Sequence, residues 1–167
     1  MENDQIVRSL EGLSGADHEK EEQAAGLQKK ILIFTIDQEM FAVEAGQVKE
    51  IVTGNQLYYL PFVPPYVRGL INRHGEAYTV FDLKMIFENE TSSGNKYLIM
   101  KIHNDQVCLI VSDVIGITGV RPEEILSLSN QQGMEDMFNG AFDFKEKRVL
   151  IVNMNVLLKR LENDLSK

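Results

Sequence analysis

From Lys30 onward the apolar residues fall in short blocks separated by turn residues. Ile31-Leu32-Ile33-Phe34-Thr35-Ile36 is rich in β-branched side chains and reads as a strand. Asp37-Gln38 marks a turn, Met40-Phe41-Ala42-Val43 the return strand, and Val48 to Val52 a third short strand. Pro61, Pro64 and Pro65 punctuate a loop, because proline gives up a ladder donor and fixes φ. Residues 66–83, YVRGLINRHGEAYTVFDL, read as a hairpin with Arg73-His74-Gly75 at its turn. Gly75 supplies the positive φ that closes it. Lys84 to Phe87 is at most one helical turn, and Glu88 to Asn95 (ENETSSGN) is a polar linker.

After the linker the pattern starts again. Ile31 to Asp37 lies over Tyr97 to His103 and, without a gap, Phe41 over Val107, Val43 over Leu109, Val48 over Val114 and Ile51 over Ile117. Beyond a five-residue insertion, Gly69 matches Gly140, and Ala77 to Leu83 matches Arg148 to Met154. A five-strand unit is written twice, which is a strong signal of fold. Short strands with tight turns tend to close into barrels, which removes exposed edges. The expected fold is therefore mainly β: two small five-stranded SH3-like barrels from an internal repeat, with short helical turns and a C-terminal helix. The first barrel is placed at about 31–87 and the second at about 96–154, partly interlocked. The helix is placed at about 155–166, with Leu157, Leu158, Leu161 and Leu165 on one face and Asn155 as N-cap.

Composition narrows the partners. The chain has 167 residues, a formal net charge of −8 and a pI of about 4.9. That balance argues against nucleic acid, which needs a basic face, and against docking on anionic lipid. Residues 1–28 hold seven acids (Glu2, Asp4, Glu11, Asp17, Glu19, Glu21, Glu22) against Arg8 and Lys20, and read as a flexible acidic tail before a domain spanning 29–167. The single cysteine, Cys108, sits inside the apolar run Val107 to Val111 and reads as a packed thiol in a reducing compartment. No apolar run approaches the roughly 18 residues a membrane span needs. The acidic N-terminus is unlike a secretory signal, so a cytoplasmic protein without membrane insertion is expected.

Catalytic chemistry finds little support. His18, His74 and His103 share no element at ligand spacing, and there is no second cysteine for zinc. No phosphate-binding glycine loop is present, and no nucleophile with base and orienting group can be picked out. The expectation is no catalytic residue, no metal and no cofactor.

Read together, residues 30–162 resemble the CheW-like domain, the coupling module of bacterial chemotaxis arrays. The resemblance rests on Ile31-Leu32-Ile33-Phe34-Thr35-Ile36, on Val48-Lys49-Glu50-Ile51, on Pro65-Tyr66-Val67-Arg68-Gly69-Leu70-Ile71-Asn72 and on Gly75 to Leu83. It implies a non-catalytic adaptor in a two-component signal-transduction system. The implied partners are the cytoplasmic tip of a methyl-accepting chemoreceptor and the regulatory domain of a CheA-type histidine kinase. A barrel-type regulatory module of a divergent, non-flagellar signalling system is the alternative. By resemblance, the receptor-facing residues are Val48, Glu50, Ile51, Asn72, Arg73, His74 and Gly75. The family's turn is usually Asn-Leu-Arg-Gly with its arginine towards the receptor; here Arg73 stands for the leucine and His74 for the arginine. Arg73, the adjacent cation, is expected to take over part of the missing charge. The kinase face is expected near Val114, Ile115, Ile117 and Val120, a strand more apolar than one buried face requires.

Overall fold

The computed structural model describes residues 27–102, 105–128 and 135–165. The tail through residue 26, including His18, lies outside them, as does His103. Ten strands run in order: β1 (Lys29–Ile36), β2 (Glu39–Glu44), β3 (Val48–Thr53), β4 (Val67–Arg73), β5 (Glu76–Phe81), β6 (Lys96–Met100), β7 (Val107–Val111), β8 (Asp113–Val120), β9 (Phe138–Phe144) and β10 (Lys147–Val152). Helix α1 (Leu83–Glu88) follows β5, and helix α2 (Met154–Leu165) follows β10.

The strands form two five-stranded sheets, in orders β8-β1-β2-β10-β9 and β3-β6-β7-β5-β4. The repeat is real down to register. In one sheet Leu150 pairs Phe41 and Ile151 pairs Ala42; in the other, Thr79 pairs Val107 and Val80 pairs Cys108, at the equivalent positions. But the sheets do not follow the division at 31–87 and 96–154. Each half donates its first two strands to the sheet built from the last three strands of the other half. The two halves are thus strand-exchanged, and neither barrel segment forms a sheet of its own.

The expected barrel closure is also absent. Each sheet is an open ladder with two edges, β8 and β9 in one and β3 and β4 in the other. A short bridge draws the edges together in each. After β3, Tyr58 exchanges two backbone bonds of 2.8 Å with Leu70 of β4. After β8, Leu126 does the same with Ala141 of β9, at 2.7 and 3.0 Å. Gly69 and Gly140 make those approaches possible. A Cβ on Gly69 would stand 2.2 Å from the Tyr58 carbonyl oxygen, and one on Gly140 would meet Ile125 Cγ2 at 2.6 Å.

The exchange explains why β1, β2, β6 and β7 are apolar almost throughout. Ile31 and Ile33 face a core within the first sheet, with Ala42, Val149 and Ile151. Leu32, Phe34 and Ile36 face the opposite way, into a central core shared with Leu98, Met100 and Leu109 of the second sheet. A strand covered on both faces needs no alternation. Cys108 lies in the second sheet's own core with Val80, Tyr97 and Ile110, and burial pushes its thiol far up from the ordinary range.

Two local expectations are corrected. Helix α2 starts at Met154 rather than 155, and its cap is Asn153, whose Oδ1 accepts from the Val156 N–H at 3.2 Å. The linker at Glu88–Asn95 is pinned down. Ser92 is buried, and its N–H and hydroxyl both donate to Asp82 Oδ2, at 3.0 and 3.1 Å. Asp82 Oδ1 meanwhile caps α1 at Lys84 N and Met85 N. Arg68 completes this group, donating to Asp82 at 2.9 Å and to the Ser92 carbonyl at 3.2 Å. Beside it, Asp37 accepts from Lys84 Nζ at 2.8 Å and from the Ser93 hydroxyl and N–H. Lys84 first, then Ser93, holds the Asp37 carboxyl down to about 2.

Candidate functional site

The turn between β4 and β5 is a two-residue loop, with His74 at φ 54 and Gly75 at φ 82. Both central residues are left-handed, the pattern that matches strand twist in a tight hairpin. Asn72 Oδ1 accepts from Gly75 N at 3.1 Å and locks the turn. Gly75 serves as expected. That His74 shares the left-handed region is not visible from a glycine-based reading, although histidine is among the residues that tolerate it.

Arg73, the last residue of β4, reaches Glu50 on β3, the opposite edge of the same sheet. Its Nε donates to Glu50 Oε1 at 2.9 Å, and its Nη2 donates to the same oxygen. The side chains are 35% and 30% exposed, so the pair sits half-sheltered across the mouth of the curled sheet. Arg73 first, and then the charges of His74 and Lys49, hold the Glu50 carboxyl below its usual range. Asn55 closes the same mouth, its Nδ2 donating to the Asn72 carbonyl at 3.0 Å. Next to the pair, Lys49 donates to the Tyr78 hydroxyl at 3.2 Å, and that hydroxyl donates to Glu76 at 2.8 Å.

The residues expected to face the receptor therefore divide. Glu50, Asn72, Arg73, His74 and Gly75 are together at the tip. Val48 and Ile51 are on the other face of β3. Ile51 is there by ordinary alternation from Glu50, and Val48 because of a bulge at Lys49: Val48 pairs Met100 and Glu50 pairs Ile99, so one extra residue breaks the alternation. Val48 lines a groove of about 1020 Å³ with Phe81, Met100, Leu158, Leu161 and Leu165; Lys49, Glu76, Lys101 and Glu162 also border it. Ile51 is exposed and does not line the groove. Arg68, close to the tip in sequence, points inward to Asp82 instead.

The four residues expected at the kinase face divide likewise. Ile115 and Ile117 are exposed on β8, a sheet edge, at 43% and 62%. Val114 packs on the central core, and Val120 is buried in the core of its own sheet. Tyr59 and Phe62 are exposed in the proline loop before β4, and the neighbouring prolines are their only signal in the sequence. Among the described residues, no group of three or more His, Cys, Asp or Glu is placed to hold a metal. Nor is any helix there long and apolar enough to cross a membrane.

The family profile of the CheW-like domain matches residues 30–162. The chemotaxis protein CheW of Treponema pallidum (strain Nichols) is 25% identical over 107 residues, covering 60% of this chain and 63% of that protein. The chemotaxis protein CheW of Bacillus subtilis (strain 168) is 28% identical over 102 residues, covering 59% and 65%. The matches span just under two thirds of the length of these relatives. In structure, the scaffolding protein TtCheW of Thermoanaerobacter tengcongensis matches with a TM-score of 0.69 at 22% identity, over 77% of this chain and 86% of that one. This last likeness concerns the fold.

Proposed function

This chain belongs to the CheW-like domain family, and from that premise we propose that it is a non-catalytic coupling adaptor of bacterial chemosensory signalling. It ties the cytoplasmic tip of a methyl-accepting chemoreceptor to the regulatory domain of a CheA-type histidine kinase, in the cytoplasm. Its chemotaxis relatives support the pathway. The observation that carries the bridging role is the presence of two exposed apolar regions on different sheets. One is the groove lined by Val48 with Leu158, Leu161 and Leu165 and bordered by Lys49, the strand neighbour of Glu50. The other is the edge of β8 with Ile115 and Ile117. A protein that binds two partners at once needs two such regions that do not overlap.

The groove receives the receptor and β8 the kinase. Paired variants test the assignment. Val48→Asp is expected to lose a chemoreceptor cytoplasmic fragment and keep the kinase regulatory domain; Ile117→Asp is expected to do the reverse. Loss of both partners in each well-folded variant would refute the division of faces.

A further inference from the structure

Four strands lie at sheet edges, and three of them carry charge within their length: Lys49 and Glu50 on β3, Arg68 on β4 and Asp143 on β9. Charge on an edge discourages pairing with another chain. The fourth, β8, differs. Its run Val114-Ile115-Gly116-Ile117-Thr118-Gly119-Val120 has no charge and no proline and is rich in β-branched residues. β1 covers one side of it, and Ile115 and Ile117 are exposed along it. A strand of this kind is a template for a further strand. The charges that bracket the run are opposite in sign: Asp113 begins β8 and Arg121 follows it, both side chains more than half exposed. Asp113 accepts from Lys96 Nζ at 2.5 Å and from the Val114 N–H at 2.9 Å, both on Oδ1, which leaves Oδ2 for another donor. Arg121 reaches Glu124 only loosely, at 3.8 Å.

We infer that β8 pairs antiparallel with β8 of a second copy of this chain, about a two-fold axis at Ile117, joining two five-stranded sheets into one. Charge selects both direction and register. Antiparallel pairing centred on Ile117 sets Asp113 opposite the partner's Arg121 at each end, whereas parallel pairing would set like against like. In that register Ile117 meets the partner's Ile117, and Ile115 lies opposite the partner's Gly119, where there is no side chain. The space a Cβ would take on Gly119 is filled by the Gln28 amide, with Oε1 at 2.4 Å. This is the far end of a flexible side chain, and pairing turns it aside. Ile115 is the extra residue of a bulge against β1. The bulge shortens the regular ladder and keeps the association in the weak, reversible class. The pairing does not rest on the receptor or kinase reading. Where β8 also receives the kinase, kinase and second copy exclude each other.

Sedimentation velocity of the full chain from roughly 10 μM to 1 mM reads the dimer directly. A monomer–dimer equilibrium is expected within that range. Ile117→Asp should abolish it, and Ile117→Lys repeats the test with the opposite charge. Asp113→Arg and Arg121→Asp should each weaken the dimer roughly tenfold, since two attractions become two repulsions. The double variant, with the charges exchanged, should bind more tightly than either single one, an effect that a contact between Asp113 and the partner's Arg121 gives and a general loss of fold does not. Val48→Asp, in the groove, should leave the dimer unchanged. A monomer at every concentration would overturn the inference. So would a dimer that survives both Ile117 variants, an exchanged pair no better than its single variants, or a dimer lost in Val48→Asp, which would place the contact in the groove. Absence of kinase binding would withdraw the kinase reading and leave this result standing, because sedimentation uses this chain alone.

Discussion

Two hairpins at equivalent places in the repeat, β4–β5 and β9–β10, share a backbone and differ in almost every polar residue. Both turn through two left-handed residues, His74 and Gly75 in one, Lys145 and Glu146 in the other. Both carry a glycine at φ 142 where a bridging segment presses close, Gly69 and Gly140. Yet Arg73 at the first tip corresponds to Phe144 at the second, and Glu50 across the mouth corresponds to Gly116. At the helix that follows, the buried Asp82 with Arg68 and Ser92 corresponds to Asn153 with an exposed Asn139. Apolar positions and close approaches are what the two halves hold in common; charge is where they part. The repeat therefore accounts for the fold, while the charges differ in where they reach: Arg73 pairs across the mouth with Glu50, whereas Arg148 pairs within its own hairpin with Asp143 at 2.8 Å.

The largest expected effect lies at the helix caps. Asp82→Ala strips a buried carboxylate from Arg68, Ser92 and the start of α1, and should cost about 3 kcal/mol in urea unfolding. Asn153→Ala, which removes one neutral cap, should cost about 1 kcal/mol. Equal losses would break the contrast. Next come the close approaches. Gly69→Ala drives a Cβ onto a backbone oxygen at positive φ and should cost roughly 2 kcal/mol. Gly140→Ala should cost somewhat less, since its nearest neighbour is a side-chain methyl that can shift and its backbone clash, with the Leu126 carbonyl oxygen at 2.8 Å, is less severe.

A pH scan should see the Asp37 ion pair of the first half directly. The folded Asp37 carboxyl titrates at about 2, below its ordinary 3.8. The sign is that of a depressed acid: its contribution is present above about pH 4 and is lost as pH falls towards 2. With screening allowed for, the loss should be about 1 kcal/mol, and Asp37→Asn should abolish that part of the profile. The smallest effect sharpens the comparison of the turns. Glu146→Gly places the permissive residue where the first hairpin already has one, and should raise stability by about 0.5 kcal/mol. Gly75→Glu should do the opposite.

These contrasts also show what residues alone could and could not disclose. The block Ile31 to Ile36 is legible as a strand because its apolar residues are buried on both faces. The matching of Gly69 with Gly140 is legible because a close backbone approach demands glycine twice. The exchange of strands between halves is not legible, since β1 buries the same side chains whichever half supplies its neighbour β8. The bulge at Lys49 is hidden for a similar reason. Lysine suits an exposed strand position with or without an extra residue, so Val48 and Glu50 look like one face until the register is known. The tip residues could be named from the family pattern. That Arg73 turns back onto Glu50 depends on the two edges of a curled sheet meeting, which no spacing in the chain announces.

The central claim is that two partners are held at once, and calorimetry tests it most directly. The regulatory domain of a CheA-type kinase from the same cell would be titrated into this protein, alone and with a chemoreceptor cytoplasmic fragment at saturation. The account predicts micromolar binding in both titrations, with similar affinity. No binding at roughly 100 μM, or binding that disappears once the receptor fragment is present, would contradict it.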